Sequence, residues 1–350
     1  MTRRADGSII RADLKEVPAT SKATLDNNQL AELTAPVRAD LEAFDRRLSD
    51  ILRGDSPLIT SLARHLLRTR GKRMRPSILF LSSRAADNFS EHSVDASLAI
   101  ELIHTATLLH DDVVDDADLR RGQETVNAKW TNLISVLMGD YLFAKAFRLM
   151  VATGSLSLVD AISSATERVS VGELRQIEET GNYSLSEEEY LDIIADKTAS
   201  LFAVACETGP ILGGRDSALR ARLADFGEKI GVAFQITDDL LDFVGDSETT
   251  GKEPGKDLLN GKITLPLIHS LKRVSESGRR AITNYLKHGD DPESFRKVFA
   301  FVSENGGIEY AYRRAEELSE QALESVAALG RSVYVDSLAS MVRYTTARVS

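Results

Sequence analysis

The chain has 350 residues, 43% of them hydrophobic, with 53 acidic residues against 43 basic ones and a formal net charge of −10. That apolar fraction is enough for a substantial core and excludes a disordered polymer. The acidic balance argues against nucleic acid as a partner, because a phosphate backbone would be repelled, but it leaves room for a local basic patch around a small phosphate ligand.

A single cysteine, Cys206, lies in the apolar string LFAVACETG. It excludes an intrachain disulfide and a cysteine-based zinc site, and it reads as a small buried hydrophobe in a reducing, cytoplasmic compartment. No apolar run approaches the roughly 20 residues that a membrane span needs, so no transmembrane segment is expected. Arg3, Arg4 and Arg11 are interleaved with Asp6, Asp13 and Glu16, which is unlike a transit peptide.

Residues 1–28 are polar and aperiodic and read as a flexible extension. Residues 29–350 read as one all-helical domain. An amphipathic opening helix is expected to start near Pro36. In GKRMRP, Lys72, Arg73 and Arg75 form a short basic loop, with Pro76 opening the next helix. No proline occurs between Ser77 and Gly209, and alternating β-branched runs are few, so successive helices are expected rather than strands. Breaks are expected at Gly154-Ser155, Gly181-Asn182, Gly213-Gly214 and across Gly245 to Gly261.

The segment SVDASLAIELIHTATLLHDDVVDDADLRRG carries the strongest signal. Leu98, Leu102, Ala106, Leu109 and Val113 recur at helical spacing and define an apolar face. His104, Leu108, Asp111 and Asp115 define a second stripe, with Asp112 beside it. Carboxylates one turn apart repel each other, so a cation is the natural remedy, and hard oxygen ligands suit magnesium. Arg120 and Arg121 follow directly. They are odd beside a bare cation but sensible beside a phosphate that shares it. A solvated acidic helix end would be the alternative reading.

A second copy decides between these readings. In VAFQITDDLLDF, Gln235, Asp238 and Asp242 fall on one helical face, with Asp239 adjacent. Two such faces are expected to clamp metal ions around one diphosphate. ADKTAS places Lys197 and Thr198 in mid-helix, and TTGKEPGKDLLNGKITLP supplies Lys252, Lys256 and Lys262 among glycines. Together with the GKRMRP loop, these read as two diphosphate sites.

The strings GKRMRP, LLHDDVVDDADLRRG, GDYLFAKAF, ADKTAS, FQITDDLLDF and GKITLP resemble, in order, the motifs of the trans-prenyltransferase family, the polyprenyl diphosphate synthases. The likeness runs from about Leu30 to the C-terminus. It implies a single all-α isoprenoid-synthase bundle around an apolar cavity, a homodimer, and condensation of isopentenyl diphosphate with an allylic diphosphate such as farnesyl diphosphate. It also implies Lys72, Arg75, His104 and Arg121 as the isopentenyl diphosphate site. Arg120, Lys197, Thr198, Gln235, Lys252 and Lys262 would form the allylic diphosphate site, with Lys197, Thr198, Gln235 and Arg120 acting in catalysis. Asp111, Asp115 and Asp238 would be the magnesium ligands, supported by Asp112, Asp239 and Asp242, with about three Mg²⁺ per site. The reaction implied is ionisation of the allylic diphosphate, attack by the isopentenyl double bond, and loss of a proton to the departing diphosphate.

Product length should depend on the residues one or two turns before Asp111. Ile103, Ala106 and Thr107 are small or aliphatic there, so the cavity is expected to continue, with Phe143 and Phe147 as candidates for a deeper floor. The likeness is greatest to bacterial long-chain, octaprenyl-type synthases that make quinone tails of about seven to ten isoprene units. A short-chain synthase, a terpene cyclase, a partner subunit and a calcium-binding scaffold are the competing readings.

Overall fold

The computed structural model describes residues 29–346, apart from 54–55, 69–70, 121, 245–254, 256–257, 259 and 289–291. The expected extension over 1–28, and Arg121, Lys252 and Lys256, lie outside the described residues.

The fold is all-α. A 3₁₀ turn at Ala35–Val37 leads into α1 (Arg38–Ile51), followed by α2 (Pro57–Arg68), α3 (Met74–Ala85) and α4 (Ser93–Val114). A small hairpin, β1 (Leu119–Arg120) and β2 (Gln123–Glu124), pairs Leu119 with Glu124 and was not expected from the sequence. Then come α5 (Val126–Lys129), α6 (Asn132–Ala152), α7 (Leu156–Glu178) and α8 (Glu187–Ile194). A π-turn (Ala195–Ala199) joins α8 to α9 (Ser200–Leu212). The chain ends in α10 (Ser217–Val244), α11 (Leu265–Lys272), α12 (Glu276–His288), α13 (Pro292–Glu304), α14 (Gly307–Ala327) and α15 (Val333–Thr346).

The breaks expected at Gly154-Ser155, Gly181-Asn182 and Gly213-Gly214 fall between helices, with left-handed backbone at Gly154, Gly181 and Gly214, while most of the break expected across Gly245 to Gly261 lies outside the described residues. Polar caps restart the chain after two of them. The Ser155 hydroxyl accepts from Leu158 N at 3.2 Å, and Ser186 and Glu189 form a reciprocal capping box at α8. One helix start differs from expectation. α3 begins at Met74, with Arg73 as its N-cap at φ 53, and Pro76 sits inside the first turn, where its missing N–H leaves no bond unmade.

Apolar side chains form two clusters. One gathers α1 to α7, α9, the first half of α10 and α15. The other gathers α8, the second half of α10, and α11 to α13. α10 and α14 run through both. α9 packs on α3, α4, α7 and α10, so the two aspartate-bearing helices, α4 and α10, share one central neighbour. Among the described residues, no helix is long and apolar enough to cross a membrane.

Candidate active site

The first aspartate face closes the C-terminal end of α4, whose apolar side, including Leu98, Leu102, Ile103 and Ala106, is buried. Asp111 lies partly covered beneath this end. Burial, and then the nearby Glu173 carboxylate, push its carboxyl up to about 7, against the pull of Lys197 and Arg120. Asp112 points the other way and is 3% exposed. Its Oδ1 accepts from Arg120 Nε at 2.7 Å, and its backbone carbonyl accepts from Asn127. Burial still raises its pKa, with Arg120 opposing. Asp115 is exposed and lies 3.8 Å from the Lys262 ammonium. The hairpin and the loop before α11 thus deliver Arg120 and Lys262 to the acidic end of α4.

The π-turn links this face to the second one. Lys197, within the turn, pairs with Glu173 of α7 at 2.5 Å. The next residue, Thr198, donates its hydroxyl to Gln235 Oε1 at 2.8 Å, and Gln235 Nε2 donates to Asp239 Oδ1 at 2.8 Å. Tyr190 of α8 donates to the other Asp239 oxygen at 2.6 Å. Adjacent residues of the turn therefore face two acidic groups, Lys197 the Glu173 carboxylate, whose charge acts on Asp111, and Thr198 the Gln235–Asp239 pair of α10. Glycines make the approach possible. A Cβ on Gly172 would lie 2.5 Å from Lys197 N, and one on Gly231 would lie 2.5 Å from Ala199 Cα. Asp238 and Asp242 keep partly exposed surface on α10, while Asp239 is 6% exposed.

The basic loop is anchored to the same helices. The Arg73 Nη1 donates to the buried Glu101 at 3.0 Å, and Arg73 Nη2 donates to Asp45 at 3.4 Å, so this arginine is turned inward. Glu101 lies three residues before His104, which places the loop beside the α4 stripe. Lys72 Nζ donates to Tyr344 OH of α15 at 2.9 Å, and the Arg75 guanidinium sits 4.6 Å over the Phe202 ring. Phe202 in turn packs on Phe234, next to Gln235, at 5.6 Å. His110 packs outward against α6, its Nε2 3.3 Å from Val136 O, where Gly139 leaves room for the ring.

The donor set suits a hard divalent cation, since it is made of carboxylate oxygens, with a carboxyl held near 7 by burial and an acidic neighbour. Among the described residues no group of three or more His, Cys, Asp or Glu side chains converges as a metal cage. The aspartates would offer such a cation carboxylate oxygens from two helices.

Burial divides the five residues expected to govern product length. Ile103 and Ala106 are 0% exposed and packed into the core, whereas Thr107, on the edge of the Asp111 stripe, keeps accessible surface. Phe143 packs between His110 and Phe147, with centroids at 5.9 and 6.4 Å. Phe147 is 50% exposed on the outside of α6, so it closes no floor within the single chain.

Oxygen-rich faces on two helices, basic loops beside them and an all-α frame define a diphosphate-handling enzyme. The chain belongs to the polyprenyl synthetase family, whose pattern it matches over residues 56–302. It is 35% identical over 302 residues to the octaprenyl diphosphate synthase of Haemophilus influenzae, covering 86% of this chain and 92% of that one. It is 36% identical over 319 residues to the geranyl-diphosphate-specific all-trans-nonaprenyl-diphosphate synthase of Rhodobacter capsulatus, covering 91% and 98%. A polyprenyl synthase from Caulobacter crescentus, solved with calcium and isoprenyl diphosphate, superposes with a TM-score of 0.86 at 34% identity, covering 93% and 98%. The protein is a prenyltransferase, of the trans-polyprenyl diphosphate synthase kind. Its substrates are isoprenyl diphosphates, and its family uses a divalent metal with them.

Sequence reasoning did not single out Glu173, Tyr190 or the Arg73–Glu101 pair. Gly172 was the available signal for the first. A mid-helix glycine costs about 1 kcal/mol against alanine, and where it persists it marks a close approach, here of α7 to the Lys197 turn.

Proposed function

We propose that the chain is a magnesium-dependent long-chain synthase that extends an allylic diphosphate with isopentenyl diphosphate to an octaprenyl-type product, about C35–C50, for quinone side chains. The Lys197–Thr198 turn carries the diphosphate part of this reading, because Lys197 pairs with Glu173, whose charge acts on Asp111, while Thr198 binds Gln235 beside Asp239 of the second face.

Lys72, Arg75, His104 and Arg121 bind isopentenyl diphosphate. Arg120, Lys197, Lys252 and Lys262 take up the charge of the allylic diphosphate as its C–O bond breaks. The π-turn displaces carbonyls from the regular helix ladder, which suits the Thr198 carbonyl, with Gln235, to face the allylic cation. Mg²⁺, about three ions held by Asp111, Asp115 and Asp238, with Asp112, Asp239 and Asp242 in support, would neutralise the leaving group. No side chain is needed as general base, since the departing diphosphate can accept the proton.

The relatives at this identity are named for octaprenyl and nonaprenyl products, which supports a long chain, and the latter is named for geranyl diphosphate. An apolar stripe on α6, with Leu133 68%, Leu137 57% and Val151 70% exposed, together with Leu174 of α7, supports a homodimer.

The test is the purified chain with Mg²⁺, isopentenyl diphosphate and either geranyl or farnesyl diphosphate, with products resolved by chain length. A C35–C50 ladder is expected, about a hundredfold weaker in Asp111→Ala and Asp238→Ala. A farnesyl or geranylgeranyl end product would make it a short-chain enzyme, a cyclic hydrocarbon a terpene cyclase, and activity only on adding a second subunit a hetero-oligomer. Light scattering checks the dimer.

A further inference from the structure

One guanidinium outside the anion site joins three of the elements that build it. Arg168 Nε donates to Asp196 Oδ1 at 2.8 Å, while its Nη1 and Nη2 donate to the two Glu228 oxygens at 3.3 and 3.1 Å. Asp196 belongs to the π-turn, immediately before Lys197, and Glu228 lies on α10. Arg175, two helical turns along α7, lies 3.8 Å from the other Asp196 oxygen.

The geometry is that of a clamp. On α7, Arg168 stands one turn before Gly172, where the backbone approaches Lys197 N most closely. On α10, Glu228 stands two turns before Gln235, which accepts from Thr198. Asp196 and Thr198, on either side of Lys197, are thus both bound to α10, one through the Arg168 fork and one through Gln235. A π-turn is a rare departure from the α-helical ladder, and these outside ties hold its shape.

We propose that Arg168, acting through Asp196 and Glu228, is a positioning residue that fixes the Lys197–Thr198 turn for ionisation of the allylic diphosphate. The proposal rests on the function given above. The three side chains are 35%, 22% and 40% exposed, so as ion pairs they contribute little to stability. Their effect is on geometry, and misplacing a charge-stabilising group by about 1 Å can slow a reaction by up to a hundredfold.

The experiment measures Arg168→Gln, Asp196→Asn, the double variant and Arg168→Lys in the full chain. The readouts are single-turnover condensation with saturating Mg²⁺ and allylic diphosphate, KM for isopentenyl diphosphate, and Tm. Each single variant should slow the single turnover by about tenfold, the double no further, with KM within about twofold and Tm within about 3 °C. Arg168→Lys should recover part of the rate. Should Arg168→Gln fail to fold, Asp196→Asn carries the test on the same readouts. An unchanged single-turnover rate, multiplicative losses in the double variant, or losses that track a falling Tm would overturn the clamp. A wild-type chain that makes no prenyl product overturns the functional reading and the clamp together. An active wild type with an unaffected Arg168→Gln overturns the clamp alone.

Discussion

Oε2 of Glu173 lies 2.5 Å from Nζ of Lys197, and the same carboxylate is the strongest acidic neighbour of Asp111. Glu173 therefore does two things. It holds the ammonium that, in the proposed function, meets the allylic diphosphate, and it discourages ionisation of Asp111, the proposed metal ligand.

Glu173→Gln tests the first role. An incoming diphosphate no longer has to draw Lys197 out of an ion pair, and one repelling charge is gone. KM for the allylic diphosphate should fall by about threefold or more, with the fold intact by circular dichroism. A KM that rises instead would mean that Glu173 positions Lys197 rather than competing for it.

Asp111 carries a stability cost with a definite sign. Its carboxyl titrates near 7 in the fold against an ordinary 3.8, so between those values the folded chain binds the proton more tightly than the unfolded chain. Stability contributed by this group is therefore present below about 3.8 and lost as pH rises towards 7. Asp111→Asn removes the loss. In the presence of EDTA at pH 7.5 its Tm should rise by about 2–5 °C, while turnover collapses. The Tm gain should vanish at pH 4, and thermal melts at both pH values check it.

Product length should respond differently at adjacent positions. Thr107 has accessible surface beside the Asp111 stripe, so Thr107→Phe should shorten the product at nearly unchanged Tm. Ala106 is 0% exposed, so Ala106→Phe must overpack the core, at about 1–3 kcal/mol. Chromatography of the dephosphorylated products, paired with melting curves, separates the two effects.

Cys206 is buried beside Ser82, and burial pushes its thiol up to about 12. The native protein should resist a maleimide at pH 7.5 and take up one equivalent after denaturation. Rapid labelling of the folded chain would show that α9 opens readily.

The aspartate faces were legible because their chemistry and their helix share one periodicity. Asp111 and Asp115 announce a face by spacing alone, and so do Asp238 and Asp242. Arg73 shows the limit of that method. Within the basic string GKRMRP nothing in the sequence distinguishes its orientation from that of Lys72 and Arg75, and only the left-handed backbone shows that it turns onto Glu101 and Asp45. Thr107 and Ala106 show the same limit, since adjacent positions on one helix differ by about 100° and only packing decides which meets open space. The π-turn was illegible for another reason. It depends on what α7 and α10 press against it, through Gly172 and Gly231, and not on any local preference of ADKTA.

That turn has an effect beyond the residues it displays. Compared with an unbroken α-helix, one added residue rotates everything after it by about 100° around the axis. Tyr190, Ile193 and Ile194 before the turn belong to one apolar cluster, while Leu201, Phe202 and Val204 after it belong to the other. The extra residue lets a single rod change the side it serves halfway along. Deleting Ala199 would restore the regular helix, and would leave either Tyr190 or Phe202 facing the wrong half of the molecule.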